Sequence, residues 1–172
     1  MLSPAELSEV AQAFLDKGGP ALWAILLVSF VMWMLIIERY WYLKFNYPLL
    51  LDQVKTAWLP YKNKHTAKSQ RKRDYLLTQL EQFAGCHLLS IKALSQALPL
   101  LGLLGTVIGM IQTFDVITVF GNGNARGLAG GISVALLTTM SGLVTALSGL
   151  YFSANLNERV RLLLDDAESE LD

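Results

Sequence analysis

Residues 94–120 read LSQALPLLGLLGTVIGMIQTFDVITVF, an apolar stretch whose one ionisable side chain, Asp115, lies near its far end. Residues 128–154 read LAGGISVALLTTMSGLVTALSGLYFSA and contain no Asp, Glu, Lys, Arg or His. An α-helix needs about 20 apolar residues to cross roughly 30 Å of hydrocarbon. Both stretches are therefore predicted to span a membrane, joined by a Gly- and Asn-rich turn at residues 121–127.

A third apolar stretch precedes these two and predicts the first span, residues 20–43. It carries no charge until Glu38 and Arg39, and an aromatic cluster at residues 40–42 follows, as is typical of a span that ends at the headgroup boundary. The whole chain of 172 residues is 53% hydrophobic and 16% charged, which favours a membrane protein over a soluble domain. The predicted fold class is an all-α integral membrane protein with three transmembrane helices that continue into cytosolic helical stalks.

The basic residues predict the orientation of the chain. Between the first and second spans lie Lys44, Lys55, Lys62, Lys64, Lys68, Arg71, Lys72, Arg73 and Lys92. Since positively charged loops stay inside, residues 44–93 and the C-terminal helix at residues 155–172 are predicted to be cytoplasmic. Residues 1–19 then form a periplasmic amphipathic leader, and residues 121–127 a periplasmic turn. The leader lacks the positive region of a secretory signal peptide, so we expect it to be retained in an inner membrane protein.

The cytosolic segments have helical periodicity. One helix is predicted to run from Tyr75 without a break into the second span, and its apolar face comprises Leu76, Leu80, Phe83, His87 or Leu88, and Ile91. The tail repeats the pattern at Leu156, Val160, Leu163, Ala167 and Leu171. Acidic residues of the tail are either partners for the basic stretch at residues 62–73 or solvated charge that fixes topology.

Small residues form a stripe along each of the last two spans. The predicted helix-packing residues are Gly102, Gly105, Gly109, Gly131, Ala135, Gly142 and Gly149. Helices in lipid associate through close approach of such residues, so the stripes are explained by packing alone or by packing around a pore.

Hydroxyl side chains accompany the small residues. The candidate pore-lining residues are Thr106, Thr113, Thr138, Thr139, Ser141 and Thr145. Hydroxyls at this depth either bond to carbonyls of their own helix or line a wet path. They can order water but cannot hold the charge of an ion. The ionisable candidates are Asp115 and Glu38; Asp115 lies near the outer boundary, about 180° from Thr106 on a helical wheel. We therefore expect another chain to supply the acid.

The sequence carries no pattern typical of an enzyme. The two histidines, His65 and His87, lack nearby ligand spacing for a metal, and Gly121 to Gly123 is a turn rather than a phosphate-binding loop. Cys86 is the single cysteine, so an internal disulfide cannot form. No cofactor, metal or nucleic-acid partner is predicted.

Two segments of the chain resemble the ExbB, TolQ and MotA family of proton-channel proteins. They are LPLLGLLGTVIG at residues 98–109, and GISVALLTT with SGL within residues 131–143. The three spans and the N-terminus outside are similar to the ExbB and TolQ branch. The pore threonines of the family match Thr106 and Thr139, whereas Val134 stands where ExbB and TolQ proteins generally carry a glutamate.

The resemblance implies a ring-like homo-oligomer of five copies around two single-span helices of an ExbD-like partner. An aspartate of that partner would accept protons opposite the threonines, and a TonB-like protein would carry the work to outer-membrane transport. Two alternatives remain. The chain is a stator of the Tol, flagellar or gliding type, or it is a non-conducting membrane scaffold.

Overall fold

The computed structural model describes residues 4–59, 67–121 and 124–170. These ranges form five α-helices, which are α1 (Pro4–Phe45), α2 (Tyr47–Trp58), α3 (Ala67–Gly85), α4 (Leu88–Phe120) and α5 (Ala125–Glu170). Within these described ranges, three candidate spans are long and apolar enough to cross a membrane, in Lys17–Phe45, Gln70–Phe120 and Ala125–Ser169. The predicted all-α class with three apolar helices is thus confirmed, and the ring assembly stays a prediction.

Helix α1 is broken at Gly19, between the predicted leader and the predicted first span. Gly19 has φ 62° and ψ −163°, and Pro20 follows it directly. Only glycine adopts a positive φ of this kind without steric cost, and proline favours the first turn of the helix that follows. The two residues therefore end one helical stretch and begin the next. Residues 1–3 of the predicted leader lie outside the described residues.

The loop between α4 and α5 is shorter than the turn predicted from sequence. Gly121 ends α4 with φ 71°. Asn124 begins α5 as its N-cap residue: its side-chain oxygen accepts from the Gly127 N–H at 3.1 Å, and its carbonyl accepts from the Leu128 N–H at 3.2 Å. The predicted turn at residues 121–127 therefore includes the first turn of α5, while residues 122 and 123 lie outside the described part.

The chain divides into two compact units, and α1, α4 and α5 contribute residues to both. The first unit comprises Met1–Met32 with Ala93–Leu150, and the second comprises Trp33–Lys92 with Tyr151–Asp172. In the first unit, the side chains of Leu22, Ile25 and Leu98 are buried. The Ser95 hydroxyl donates to the Met32 sulfur at 3.3 Å, which joins α4 to α1.

The second unit is built on the amphipathic faces of the predicted stalks. Those faces are buried as expected at Leu76, Leu80, Leu88 and Ile91, and at Leu156, Val160 and Ala167 of the tail. Phe83 is wrongly placed on the buried face, because its side chain is 50% exposed and Ala84 is buried instead. The Tyr47 hydroxyl donates to the Leu163 carbonyl at 2.8 Å and joins α2 to α5.

The prediction of one unbroken helix from Tyr75 into the second span is wrong. Helix α3 ends at Gly85 and α4 begins at Leu88, with His87 between them at φ 63°. The His87 carbonyl accepts the Ile91 N–H at 2.9 Å and so begins α4. At the end of α3, the Arg39 guanidinium donates to the carbonyls of Phe83 and Ala84. This cation satisfies carbonyls that a continuous helix would have bonded internally.

Candidate functional site

Helices α4 and α5 meet through glycine backbones in the first unit. A methyl group added at Gly109 would lie 2.6 Å from the Gly131 carbonyl oxygen and 2.7 Å from the Ala135 nitrogen. One added at Gly142 would lie 2.7 Å from the Leu98 carbonyl oxygen and 3.0 Å from the Cα of Gly102. We call this contact the glycine interface, formed by Gly102, Gly105, Gly109, Gly131, Ala135 and Gly142. It leaves no room for a side chain larger than those present.

Gly149 extends the close packing of α5 to α1. A methyl group added there would lie 2.9 Å from the terminal carbon of Met32, and it would also collide with the Ser95 hydroxyl. Gly149 thus lets three helices of the first unit approach one another at the same level.

Thr113 and Thr138 lie inside the glycine interface. Thr138 is 0% exposed, and its hydroxyl lies against Gly105. It donates to the carbonyls of Val134 at 2.9 Å and Ala135 at 3.0 Å. Thr113 is buried against Gly131, and its hydroxyl donates to the Gly109 carbonyl at 2.9 Å. Both hydroxyls are therefore bonded to carbonyls of their own helix and enclosed within one chain.

Thr106 and Thr139 lie on one flank of the glycine interface. Thr139 contacts Gly102, since a methyl group added at Gly102 would lie 3.2 Å from the Thr139 Cα. Its hydroxyl donates to the Ala135 carbonyl at 2.8 Å and approaches the Gly102 carbonyl at 3.4 Å. Thr106 lies one helical turn beyond Gly102, and its hydroxyl donates to the Leu103 carbonyl at 2.6 Å.

Helix geometry explains why these two threonines share a flank. At about 100° per residue, Thr106 lies about 50° from the centre of the α4 contact face, and Thr139 lies about 50° from that of α5 in the same rotational sense. Because α4 and α5 are antiparallel, the two rotations lead to the same side of the pair. Both side chains are half-buried there. Around them Leu103, Met110 and Leu136 are exposed, so this flank is an apolar surface with two hydroxyls.

Ser141 and Thr145 lie on the opposite flank, which faces α1. With Ser29 of α1 they line a cavity of about 580 Å³ whose other walls are apolar, among them Leu22 and Ile25. The Ser141 hydroxyl donates to the Leu137 carbonyl at 2.7 Å, and that of Thr145 donates to the Ser141 carbonyl at 2.7 Å. The structure thus separates the six hydroxyls predicted as one lining into three pairs with different surroundings.

Of the two ionisable candidates, Asp115 belongs to the same unit as the threonine flank and is not brought to it. Asp115 is exposed on α4, about 180° from Thr106 around the helix axis. Glu38 is exposed on α1 in the other unit. Among the residues that the structure describes, no cluster of three or more His, Cys, Asp or Glu side chains could hold a metal ion.

The model of the MotA/TolQ/ExbB proton channel family matches residues 50–169. The chain belongs to this family. The match includes the α2 and α3 region, the glycine interface and both flanking threonines, and it agrees with the resemblance seen in the second and third spans. The chain is therefore a multi-pass membrane protein of this family.

Relatives with curated names match shorter parts of the chain. The biopolymer transport protein ExbB of Aquifex aeolicus is 34% identical over 91 residues, which cover 53% of this chain and 62% of that protein. A protein named ExbB-like 3 from Synechocystis is 46% identical over 57 residues, or 32% of this chain and 27% of that protein. An ExbB homologue of Methanothermobacter thermautotrophicus is 33% identical over 87 residues, or 51% of this chain and 30% of that protein. The aligned part thus spans 27–62% of the length of these relatives, which is less than two thirds of each one.

Sequence reasoning missed the contribution of Arg39. It is 4% exposed and joins α1 to the end of α3 through the carbonyls of Phe83 and Ala84. A charge beside an aromatic cluster at the end of a span is typical of a headgroup boundary. Arg39 was therefore interpreted as a boundary residue, and its buried contact with α3 was not predicted. The signal that could have revealed it is Gly85 followed by two residues of low helical preference, which suggests a helix end that needs a donor.

Proposed function

We propose that this chain is the channel-forming subunit of a proton-driven motor in the bacterial inner membrane. Five copies would form a ring around two single-span helices of an ExbD-like partner, with the N-terminus periplasmic and the C-terminus cytoplasmic. Proton flow would drive motion of one part relative to the other, and a TonB-like protein would pass the work to outer-membrane transport. The chain itself would carry out no enzymatic reaction.

The observation that carries this proposal is the flank that holds Thr106 and Thr139. Their hydroxyls are the half-buried polar groups on an otherwise apolar surface next to the glycine interface. A hydroxyl can exchange hydrogen bonds with water and relay a proton, but it does not take up charge at ordinary pH. A carboxylate on a helix seated against this flank would complete the path. Asp115 faces away, which supports an acid from the partner.

The energetics allow mechanical work. One proton that crosses a potential of 100 mV releases about 2.3 kcal/mol, or about four times the thermal energy RT. Several protons per cycle therefore supply enough free energy to move packed helices past one another. A rigid contact such as the glycine interface would keep each subunit intact during that motion.

The test measures proton flux in vesicles that contain the chain together with an ExbD-like partner. Thr106→Val and Thr139→Val keep the shape of the side chain and remove the hydroxyl. We expect each to reduce flux at least about tenfold, the effect of about 1.4 kcal/mol on a barrier. Thr113→Val and Thr138→Val are the matched controls, since their hydroxyls are enclosed within one chain.

The controls are expected to keep most of the flux wherever the complex assembles. Unchanged flux in the Thr106→Val and Thr139→Val double variant would refute the proposed pore. Equal losses in all four variants, with normal assembly, would also contradict the assignment to one flank.

One observation favours a second candidate function, a non-conducting scaffold. The hydroxyls of all six predicted lining residues donate to carbonyls of their own helix. If these bonds are their whole role, Thr106→Ala and Thr139→Ala preserve function while Gly142→Leu abolishes assembly. The channel proposal expects failure in both sets. The process that the motor drives also distinguishes the candidates. Loss of growth on outer-membrane transport substrates would indicate a TonB-type system, loss of outer-membrane integrity a Tol-type system, and loss of swimming or gliding a motility stator.

A further inference from the structure

An aromatic groove in the second unit has the features of a ligand site. It lies between the end of the first span in α1 and the part of α5 where the third span passes into the C-terminal helix, and its volume is about 880 Å³. We call it the aromatic groove, lined by Trp33, Ile36, Ile37, Tyr40, Trp41, Leu43, Lys44, Phe45, Phe152, Arg159, Leu162 and Leu163. Pockets that bind small organic ligands have volumes of about 300–1,000 Å³.

The wall of the groove is ordered by ring packing. Phe152 of α5 makes an edge-to-face contact with Trp33 of α1, with ring centroids 5.0 Å apart. It makes a second edge-to-face contact with Tyr40 at 6.4 Å. Such pairs hold both helices at a fixed separation, so the groove is formed before any ligand arrives.

One end of the groove is polar because of a small hydrogen-bond network. The Asn155 side-chain oxygen accepts from the Tyr40 hydroxyl at 2.7 Å and from the Arg159 Nε at 3.0 Å. The Arg159 guanidinium also lies 5.5 Å from the centre of the Tyr40 ring. These contacts fix the side of the guanidinium that carries Nε. The terminal nitrogens remain the donors that match a phosphate in bidentate geometry.

The charge of the groove has one sign. Its charged lining residues are Lys44 and Arg159, and across the described ranges no acidic side chain lies within salt-bridge distance of either one. A neighbouring groove in the same unit differs, because Glu81 and Asp165 line it together with Lys92 and Arg161. Cations are therefore balanced in the second groove and unbalanced in the aromatic one.

This combination matches the chemistry of an anionic phospholipid. Trp and Tyr rings prefer the level of the headgroups, the isoleucine and leucine walls accept an acyl chain, and basic pockets at helix ends bind anionic headgroups. A second copy of this chain fits less well, because its helix would have to bring a carboxylate into a wall of aromatic rings.

We propose that the aromatic groove binds one anionic phospholipid, such as a phosphatidylglycerol. Its phosphate lies between Arg159 and Lys44, and an acyl chain lies along Trp33, Ile37 and Phe152. On the orientation proposed above, the lipid belongs to the cytoplasmic leaflet. Its binding is independent of proton conduction, so this inference can fail without affecting the proposed function.

The test uses the full chain, purified in a neutral detergent and stripped of lipid. Native mass spectrometry and thermal unfolding are recorded with phosphatidylglycerol or with phosphatidylcholine of the same acyl chains. Each basic residue near a headgroup contributes about 1 kcal/mol, which is about fivefold in affinity. We therefore expect the Lys44→Gln and Arg159→Gln double variant to bind phosphatidylglycerol about 25-fold more weakly.

The matched control is the Lys92→Gln and Arg161→Gln double variant, which removes the same charge from the neighbouring groove. It should keep the preference for phosphatidylglycerol. Unfolding of each variant without lipid shows whether the fold is intact.

Four results would overturn the proposal. The wild-type chain binds both lipids equally, or both double variants lose the preference to the same degree. Alternatively, the Lys44 and Arg159 variant changes the mass of the oligomer with no change in lipid binding, which would make the groove a contact between copies. Glycerol 3-phosphate, a headgroup without acyl chains, should give no shift in unfolding temperature; a full shift would indicate an anion site and no lipid.

Discussion

Helices α4 and α5 pack backbone to backbone because glycine residues lie at their contact. Helices α1 and α3 are instead joined by a long side chain, that of Arg39. At Gly109 and Gly131 the two backbones come so close that a methyl group does not fit. At Arg39 a buried guanidinium reaches across and satisfies the last carbonyls of α3. The first contact lies in the apolar spans and the second at a span end.

The difference follows from what surrounds each contact. Between helices in lipid there is little hydrophobic drive, so stability comes from close packing over many atoms. At a helix end, four carbonyls lack partners and their oxygens carry partial negative charge, so a single cation contributes strongly. Any atom added at the glycine interface should therefore destabilise the fold, and so should any loss of hydrogen-bond donors at Arg39.

The largest effect is expected from Gly131→Ala, compared with Gly130→Ala. A methyl group at Gly131 would lie 2.7 Å from the Gly109 carbonyl oxygen, whereas at Gly130 nothing lies within 4 Å. We expect Gly131→Ala to lower the free energy of unfolding by about 3 kcal/mol, the upper part of the range for over-packing. Gly130→Ala should be neutral or raise it by roughly 0.5–1 kcal/mol, because alanine favours helix.

The measurement is unfolding in mixed micelles, followed by circular dichroism. Similar losses for both neighbours would mean that the α4–α5 contact does not depend on backbone approach, and the contrast between the two regions would disappear.

The next effect is expected from Arg39→Met, which keeps an unbranched apolar stem and removes the hydrogen-bond donors. The carbonyls of Phe83 and Ala84 then lose their charged partner, at a cost of about 2 kcal/mol. Arg39→Lys should restore part of the lost stability, because an ammonium group can still donate to one of the two carbonyls. Proteolysis of α3 and the unfolding midpoint measure the loss. The exposed neighbour provides the control, and Glu38→Gln should leave both readouts unchanged.

A smaller effect is expected from Thr138→Val, which tests the enclosed hydroxyl of the glycine interface. The hydroxyl proton is shared between two carbonyls of its own helix, so its removal should cost about 1 kcal/mol. Thr139→Val should cost less in stability, because Thr139 is half-buried. Thr138→Val should thus lower the unfolding midpoint more than Thr139→Val does, whereas Thr139→Val should reduce proton flux more. The same ranking in both assays would argue against separate roles.

Periodicity was enough to predict the spans and the small faces of α4 and α5, since a 3.6-residue repeat depends on the helix alone. Periodicity could not predict that the six hydroxyls lie in three different surroundings. Thr138 and Thr139 differ by about 100° around the axis, so their surroundings depend on how α5 is rotated against α4. Ser141 and Thr145 additionally depend on where α1 packs. The end of α3 escaped prediction because Arg39, distant in sequence, stabilises it.

The smallest effect is expected at the ion pair between α3 and the tail, the contact that the acidic tail suggested. Arg73 and Glu168 lie 3.5 Å apart, and their side chains are 24% and 58% exposed. Water and salt screen such a pair, so a double-mutant cycle with Arg73→Gln and Glu168→Gln should give a coupling of at most about 0.5 kcal/mol that declines with added salt. A coupling as large as the loss in Arg39→Met would mean that surface charge, rather than the buried guanidinium, joins the helices of the second unit. The prediction for Arg39 would then need a different physical basis.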